Sequence, residues 1–261
     1  MKLPLYQIDA FTERAFRGNP AAVVLLERWL PDGTLAAIAA ENNLAETAFV
    51  IPGKGAMPLR WFTPTVEVDL CGHATLASAH VLFRHHFSSL EKIEFETKSG
   101  TLAVVRDGEL LSMDFPSRPG SPVDSSRAVE AACLQKPVET LLARDLVAVF
   151  ASESQIRALQ PDMAKIAAID AFAVAATAPG TDRDYVFRFF APRQGIPEDP
   201  ATGSVHCTLA PYWAAKLGKT RLTARQLSPR GGEFVCTLAG DRVRIAGRTA
   251  EFLRGEITIP D

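Results

Sequence analysis

Apolar residues along this chain fall into short runs of strand length, broken by three stretches with helical spacing. In the first half the runs predict strands over 3–9, 21–26, 48–51, 59–62, 93–97, 102–106 and 111–115. In the second half they predict strands over 146–150, 172–176, 186–190, 222–226, 233–238 and 243–246. A helix is predicted after Asp32, read as its N-cap, with Leu35, Ile38 and Ala39 on its apolar face. A second helix is predicted from Gly72, and its run from Ala74 to Phe83 is apolar on nearly every side. Such a helix has no face for water and belongs inside a sheet. A third is predicted from Gly203 through Leu209, Trp213 and Leu217, and 116–126 reads as a linker.

The two halves repeat one plan. Arg60-Trp61-Phe62-Thr63-Pro64 is echoed by Arg188-Phe189-Phe190-Ala191-Pro192, Cys71-Gly72 by Thr202-Gly203, and Gly100 by Gly232. The spacing is nearly constant at about 130 residues. The expected fold is therefore α+β: two pseudo-symmetric domains, each a curled, mostly antiparallel sheet around a central helix. Residues 1–117 and 128–250 form the two halves, and 251–261 return to the first.

Composition narrows the function. The chain is 47% hydrophobic and 22% charged, with a net charge of −2. No basic or acidic excess points to nucleic acid or to a membrane surface, and no run approaches the roughly 20 apolar residues of a spanning helix. Cys71, Cys133, Cys207 and Cys236 show no paired spacing, so a reducing, cytoplasmic setting is expected. The five histidines show no ligand spacing, and no dinucleotide fingerprint is present, so neither metal nor organic cofactor is expected.

Candidate chemistry gathers at the central helix starts. Gly72 and Gly203 allow close approach of a ligand to free first-turn amides, which favour a carboxylate or phosphate. His73 follows the first glycine and Ser204 the second; Asp199 precedes the second helix and Glu46 lies just before a strand. A partly desolvated carboxylic acid such as Glu46 has a raised pKa and can shuttle a proton near neutral pH. The expected site is a cleft where the two helix starts converge on a small acidic substrate. His85-His86 reads as a solvated helix end, and His206 and Cys207 as core residues.

The strings Asp9-Ala10-Phe11-Thr12, Gly18-Asn19-Pro20-Ala21, Asn43-Leu44-Ala45-Glu46-Thr47-Ala48-Phe49, Cys71-Gly72-His73-Ala74-Thr75, Asp199-Pro200-Ala201-Thr202-Gly203-Ser204 and Ser228-Pro229-Arg230-Gly231-Gly232 span nearly the whole chain. They resemble the phenazine-biosynthesis PhzF-like family, whose fold is similar to that of diaminopimelate epimerase. The resemblance implies an isomerase without a cofactor, often a homodimer, acting on a small carboxylated metabolite. It implies Glu46 as the acid and base, with substrate contacts from Asn19, Gly72, His73, Asp199, Gly203 and Ser204. Ala45 departs from the Ser that many relatives carry beside the glutamate. The epimerase branch uses two opposed cysteines; here the positions hold Cys71 and Thr202, and a hydroxyl is too weak an acid to replace a thiol. A one-base proton shift through Glu46 is the leading reading. Two others stand beside it: an epimerase or racemase pairing Glu46 with Cys71, and a non-catalytic metabolite- or partner-binding protein.

Overall fold

The structure, a computed structural model, describes residues 1–259. The elements in chain order are β1 (Lys2–Ala10), β2 (Asn19–Leu25), α1 (Asp32–Asn42), β3 (Glu46–Val50), β4 (Met57–Phe62), β5 (Glu67–Val68), α2 (Gly72–His85), β6 (Lys92–Thr97), β7 (Gly100–Asp107) and β8 (Leu110–Pro116). There follow β9 (Ser121–Pro122), α3 (Ser126–Cys133), β10 (Glu139–Leu142), β11 (Leu146–Val149), α4 (Glu153–Ala158), α5 (Met163–Ala168), β12 (Val174–Pro179), β13 (Tyr185–Phe190), α6 (His206–Leu217), β14 (Arg221–Gln226), β15 (Gly232–Ala239), β16 (Arg242–Gly247) and β17 (Thr249–Thr258). Two compact units emerge: 1–114 with 246–261, and 115–245. The boundaries differ from those expected, because the chain crosses within β8 and returns already within β16. From there β17 runs the length of β1 as its antiparallel partner.

Each unit is built on the same sequence of strand pairings. In the first, β1 is antiparallel to β2, β2 parallel to β3, β3 antiparallel to β4, β4 parallel to β6, and β6, β7 and β8 follow antiparallel. In the second, β10 to β15 run through antiparallel, parallel, antiparallel, parallel and antiparallel pairings in the same order. Each parallel pair needs a crossover, which is where the helices other than α3 lie. The sequence repeat thus corresponds to a duplicated, sheet-dominated α+β unit.

The repeated Arg–aromatic string makes the same device twice. Arg60 forks onto Glu67 through Nε and Nη2 at 2.7 and 2.9 Å, and lies 5.1 Å over the Phe62 ring. Arg188 forks onto Glu198 at 2.8 and 2.9 Å and lies 5.0 Å over Phe190. A planar guanidinium suits both partners at once, which a lysine would not.

In α2, Ala74 to Ala79 and Val81 to Phe83 are buried against β1, β2 and β3. Its two buried hydroxyls are satisfied one turn back: Thr75 Oγ1 donates to the Cys71 carbonyl at 2.6 Å, and Ser78 Oγ to that of Ala74 at 2.8 Å.

Three local expectations are corrected. Pro31, not Asp32, is the N-cap of α1; Asp32 opens the helix, and its carboxylate accepts from Arg60 Nη1 at 2.9 Å. The α6 helix begins at His206 instead of Gly203. Residues 203–208 first wind as a tighter turn, with the His206, Cys207 and Thr208 amides donating three residues back to Gly203, Ser204 and Val205. Finally, His85 is not a solvated helix end: it stacks 5.2 Å from Tyr6 and shares a 2.6 Å hydrogen bond with Glu251. His206 and Cys207 are buried, as core residues should be. Among the described residues no helix is long and apolar enough to cross a membrane.

Candidate active site

Three side chains of the first unit meet at the entrance to α2. Asn43, in the left-handed region at φ 48°, ends α1 and turns the chain into β3, whose first residue is Glu46. Asn42 Nδ2 donates to Thr47 Oγ1 at 3.1 Å and pins that turn, while Ala21 of β2 is the register partner of Glu46. Cys71, in extended conformation, is the N-cap of α2, and Gly72 and His73 form its first turn. The strand start and the helix start thereby present Glu46, Cys71 and His73 to one another.

The imidazole of His73 sits between the other two. Its Nε2 lies 3.0 Å from Glu46 Oε2, and its Nδ1 lies 3.5 Å from Cys71 Sγ. The first contact has the distance of an ion pair without the alignment of a hydrogen bond, and both atoms are shut off from water. The two side chains are only 10% and 12% exposed. Burial alone would raise the Glu46 carboxyl, the direction its partly desolvated setting predicts from sequence, but the adjacent His73 charge and the close approach of His73 and Cys71 outweigh it and hold the group low. For His73, burial works against the charged form, yet the Cys71 contact and the Glu46 charge hold it well above the ordinary imidazole value. Burial and the Glu46 charge push the Cys71 thiol up. The resting state is therefore carboxylate, imidazolium and neutral thiol.

Gly72 is not demanded by packing. A Cβ there would meet only Met113 Cε at 3.7 Å, an ordinary contact. Gly18, by contrast, is required: at φ +63° a Cβ would lie 2.1 Å from the Ala10 carbonyl oxygen. That turn sets Asn19, fully buried, at the head of β2, two residues before the register partner of Glu46.

The second unit holds Asp199, Gly203 and Ser204 on one clamped loop. The Thr202 hydroxyl donates to the Asp199 carboxylate. Gln226, fully buried, accepts from the Thr202 amide at 2.7 Å and donates to the Asp199 carbonyl at 2.5 Å. Ser228 Oγ donates to the Pro200 carbonyl at 2.6 Å, and Gly232 is needed because a Cβ would lie 2.7 Å from that of Ala201. Arg144, braced on Asp145, donates through Nη2 to Ser204 Oγ at 3.2 Å. Sequence reasoning missed Gln226 and Arg144. Gln226 ends an ordinary strand, and Arg144 lies far from Ser204 in the chain, so neither carries a local signal. The position equivalent to Cys71 is Thr202, whose hydroxyl is engaged by Asp199.

Glu46, Cys71 and His73 also form a group whose ligating atoms all lie within 4.8 Å of one another. A separate cavity of about 610 Å³ in the first unit, lined by His80, Phe83, Arg84, Arg106 and Arg248, contains none of the three.

The family model for phenazine biosynthesis-like proteins matches residues 8–255. An uncharacterised isomerase of Pseudomonas aeruginosa is 48% identical over 99% of this chain and 100% of its own. A crystal structure of a PhzF-family protein from Enterococcus faecalis superimposes with a TM-score of 0.97 at 43% identity, covering 99% of this chain and 100% of that one. A hydroxyproline epimerase from Agrobacterium vitis shares the fold alone, with a TM-score of 0.62 at 14% identity over 100% and 93% of the two chains. The chain belongs to the phenazine biosynthesis-like family and is an isomerase.

Proposed function

We propose that this isomerase shifts a proton on a small carboxylated metabolite without a cofactor, with Glu46 as both general base and general acid. The observation that carries the reading is the Glu46–His73 contact, in which an imidazolium holds a secluded carboxylate in its ionised, basic form. Glu46 takes a proton from a carbon made acidic by the substrate's carboxyl group, and the C–H electron pair delocalises into the substrate. The neutral Glu46 then returns the proton to another carbon of the same delocalised system. No electrons leave the substrate, and the enzyme ends as it began. The His73 charge stabilises the intermediate anion, and the amide of Gly72, at the positive end of α2, receives the carboxylate. The room at Gly72 supports this role, because packing gives no reason for glycine there. Contacts from Asn19, Asp199, Gly203 and Ser204, and assembly as a homodimer, are supported by the resemblance alone.

A second reading has its own observation: Cys71 Sγ lies beside His73 and could donate a proton opposite Glu46, giving epimerisation. Burial and the Glu46 charge keep the thiol neutral, so it could give a proton and not readily take one. Glu46→Gln tests the leading reading. It should abolish turnover and leave ligand affinity within about tenfold, since general acid–base help is worth about 10²–10⁴-fold. Full activity in that variant would overturn it.

A further inference from the structure

We propose that the Glu46–Cys71–His73 group also takes up Zn²⁺, which would hold the enzyme in an inactive, metal-blocked form. Zinc is an inhibitor in this account and no part of the reaction. The donor set carries the inference. A carboxylate oxygen, an imidazole nitrogen and a thiol sulfur are the three protein donors that zinc favours, and here they come from the end of one turn and the first turn of one helix. Their ligating atoms already lie within 4.8 Å of one another. Tetrahedral zinc, with bonds of about 2.0–2.3 Å, sets its ligand atoms roughly 3.3–3.6 Å apart. The three groups thus need shifts on the order of 1 Å to close on an ion.

The second observation is independent of spacing. Glu46 Oε2 and His73 Nε2 lie 3.0 Å apart, shut off from water, and neither has a hydrogen-bond partner. Buried polar atoms without partners are rare because they forgo hydration without compensation. Here each offsets the other's burial as an ion pair, and neither is committed to a directed hydrogen bond that an incoming ion would have to break. Three protein ligands leave a fourth position, as in open zinc sites. On binding, the Cys71 thiol and the His73 imidazolium each release a proton to solvent, and zinc takes up the freed lone pairs with no change of oxidation state. Bound zinc would occupy the base and the imidazole together, so turnover and metal occupancy exclude each other.

The test needs no substrate, so its outcome is independent of whether Glu46 is the base. Purified metal-free protein is titrated with Zn²⁺ against a chromophoric chelator, and with Co²⁺ while the thiolate-to-metal absorption band is followed. The wild type should bind stoichiometrically and show the band. Cys71→Ser should lose the band, and His73→Asn and Glu46→Gln should each weaken zinc by more than about 100-fold, beyond the loss typical of a supporting contact. Circular dichroism identifies which variants are folded, and any one folded variant suffices. The proposal fails if the wild type does not bind, or if a folded Cys71→Ser variant retains the band, because Cys133, Cys207 or Cys236 would then be its source.

Discussion

The imidazole of His73 stands 3.0 Å from the Glu46 carboxylate on one side and 3.5 Å from the Cys71 sulfur on the other, so one ring opposes burial at both neighbours and prevails at Glu46 alone. Removing the ring should therefore change what Glu46 is. In His73→Asn the charge that opposes burial is gone, and the Glu46 carboxyl should rise from its lowered position. Carboxyl-selective NMR titration would show the rise; an unshifted Glu46 would mean that His73 does not hold it.

The same pair makes stability depend on pH at both ends. Glu46 is depressed, so its contribution is present above the ordinary value of 4.5 and is lost as pH falls through the folded value. His73 is raised, so its contribution is complete below 6.5 and is lost as pH rises through the folded value. Thermal unfolding should show the pair at full strength between about 4.5 and 6.5. His73→Asn should flatten the alkaline limb; a limb equally steep in the variant would assign it to another group.

Cys71→Ala separates the two enzyme readings. A one-base shift should lose little activity, because the thiol is neutral and merely flanks His73. A loss as severe as that of Glu46→Gln would make Cys71 the opposing acid and the reaction an epimerisation.

Glycines 18 and 72 should behave oppositely. Gly18→Ala forces a Cβ against the Ala10 carbonyl at positive φ and should cost more than about 1 kcal/mol of stability. Gly72→Ala should leave stability within about 1 kcal/mol and, if the proposed carboxylate contact holds, instead raise KM, since the methyl group would stand beside the Gly72 amide. Denaturant unfolding and steady-state kinetics read the two effects; an unchanged KM would remove Gly72 from the binding site.

Much of this was legible in the sequence because it is written locally. The run 74–83, apolar on nearly every side, marks a buried helix, and the doubled Arg–aromatic–Pro strings mark the duplicated unit. Glu46 and His73 stood out as a carboxylate and an imidazole beside a turn and a helix start. What was not legible depends on long-range partners. Nothing near Gln226 announces that it clamps the Asp199 loop, and nothing near Arg144 announces Ser204. The start of α6 was misplaced because a glycine permits a helix without compelling one, and residues 203–208 adopt the tighter turn. The solvated reading of His85 failed because its partner, Glu251, comes from the last strand.

The central claim is that Glu46 moves a carbon-bound proton, and deuterium exchange measures that step directly. Wild-type enzyme and Glu46→Gln are incubated in D₂O with a panel of small carboxylated metabolites, and carbon-bound deuterium is read by mass spectrometry. The account predicts incorporation into an accepted compound by the wild type and none above background by the variant. Exchange at the wild-type rate in Glu46→Gln would contradict it.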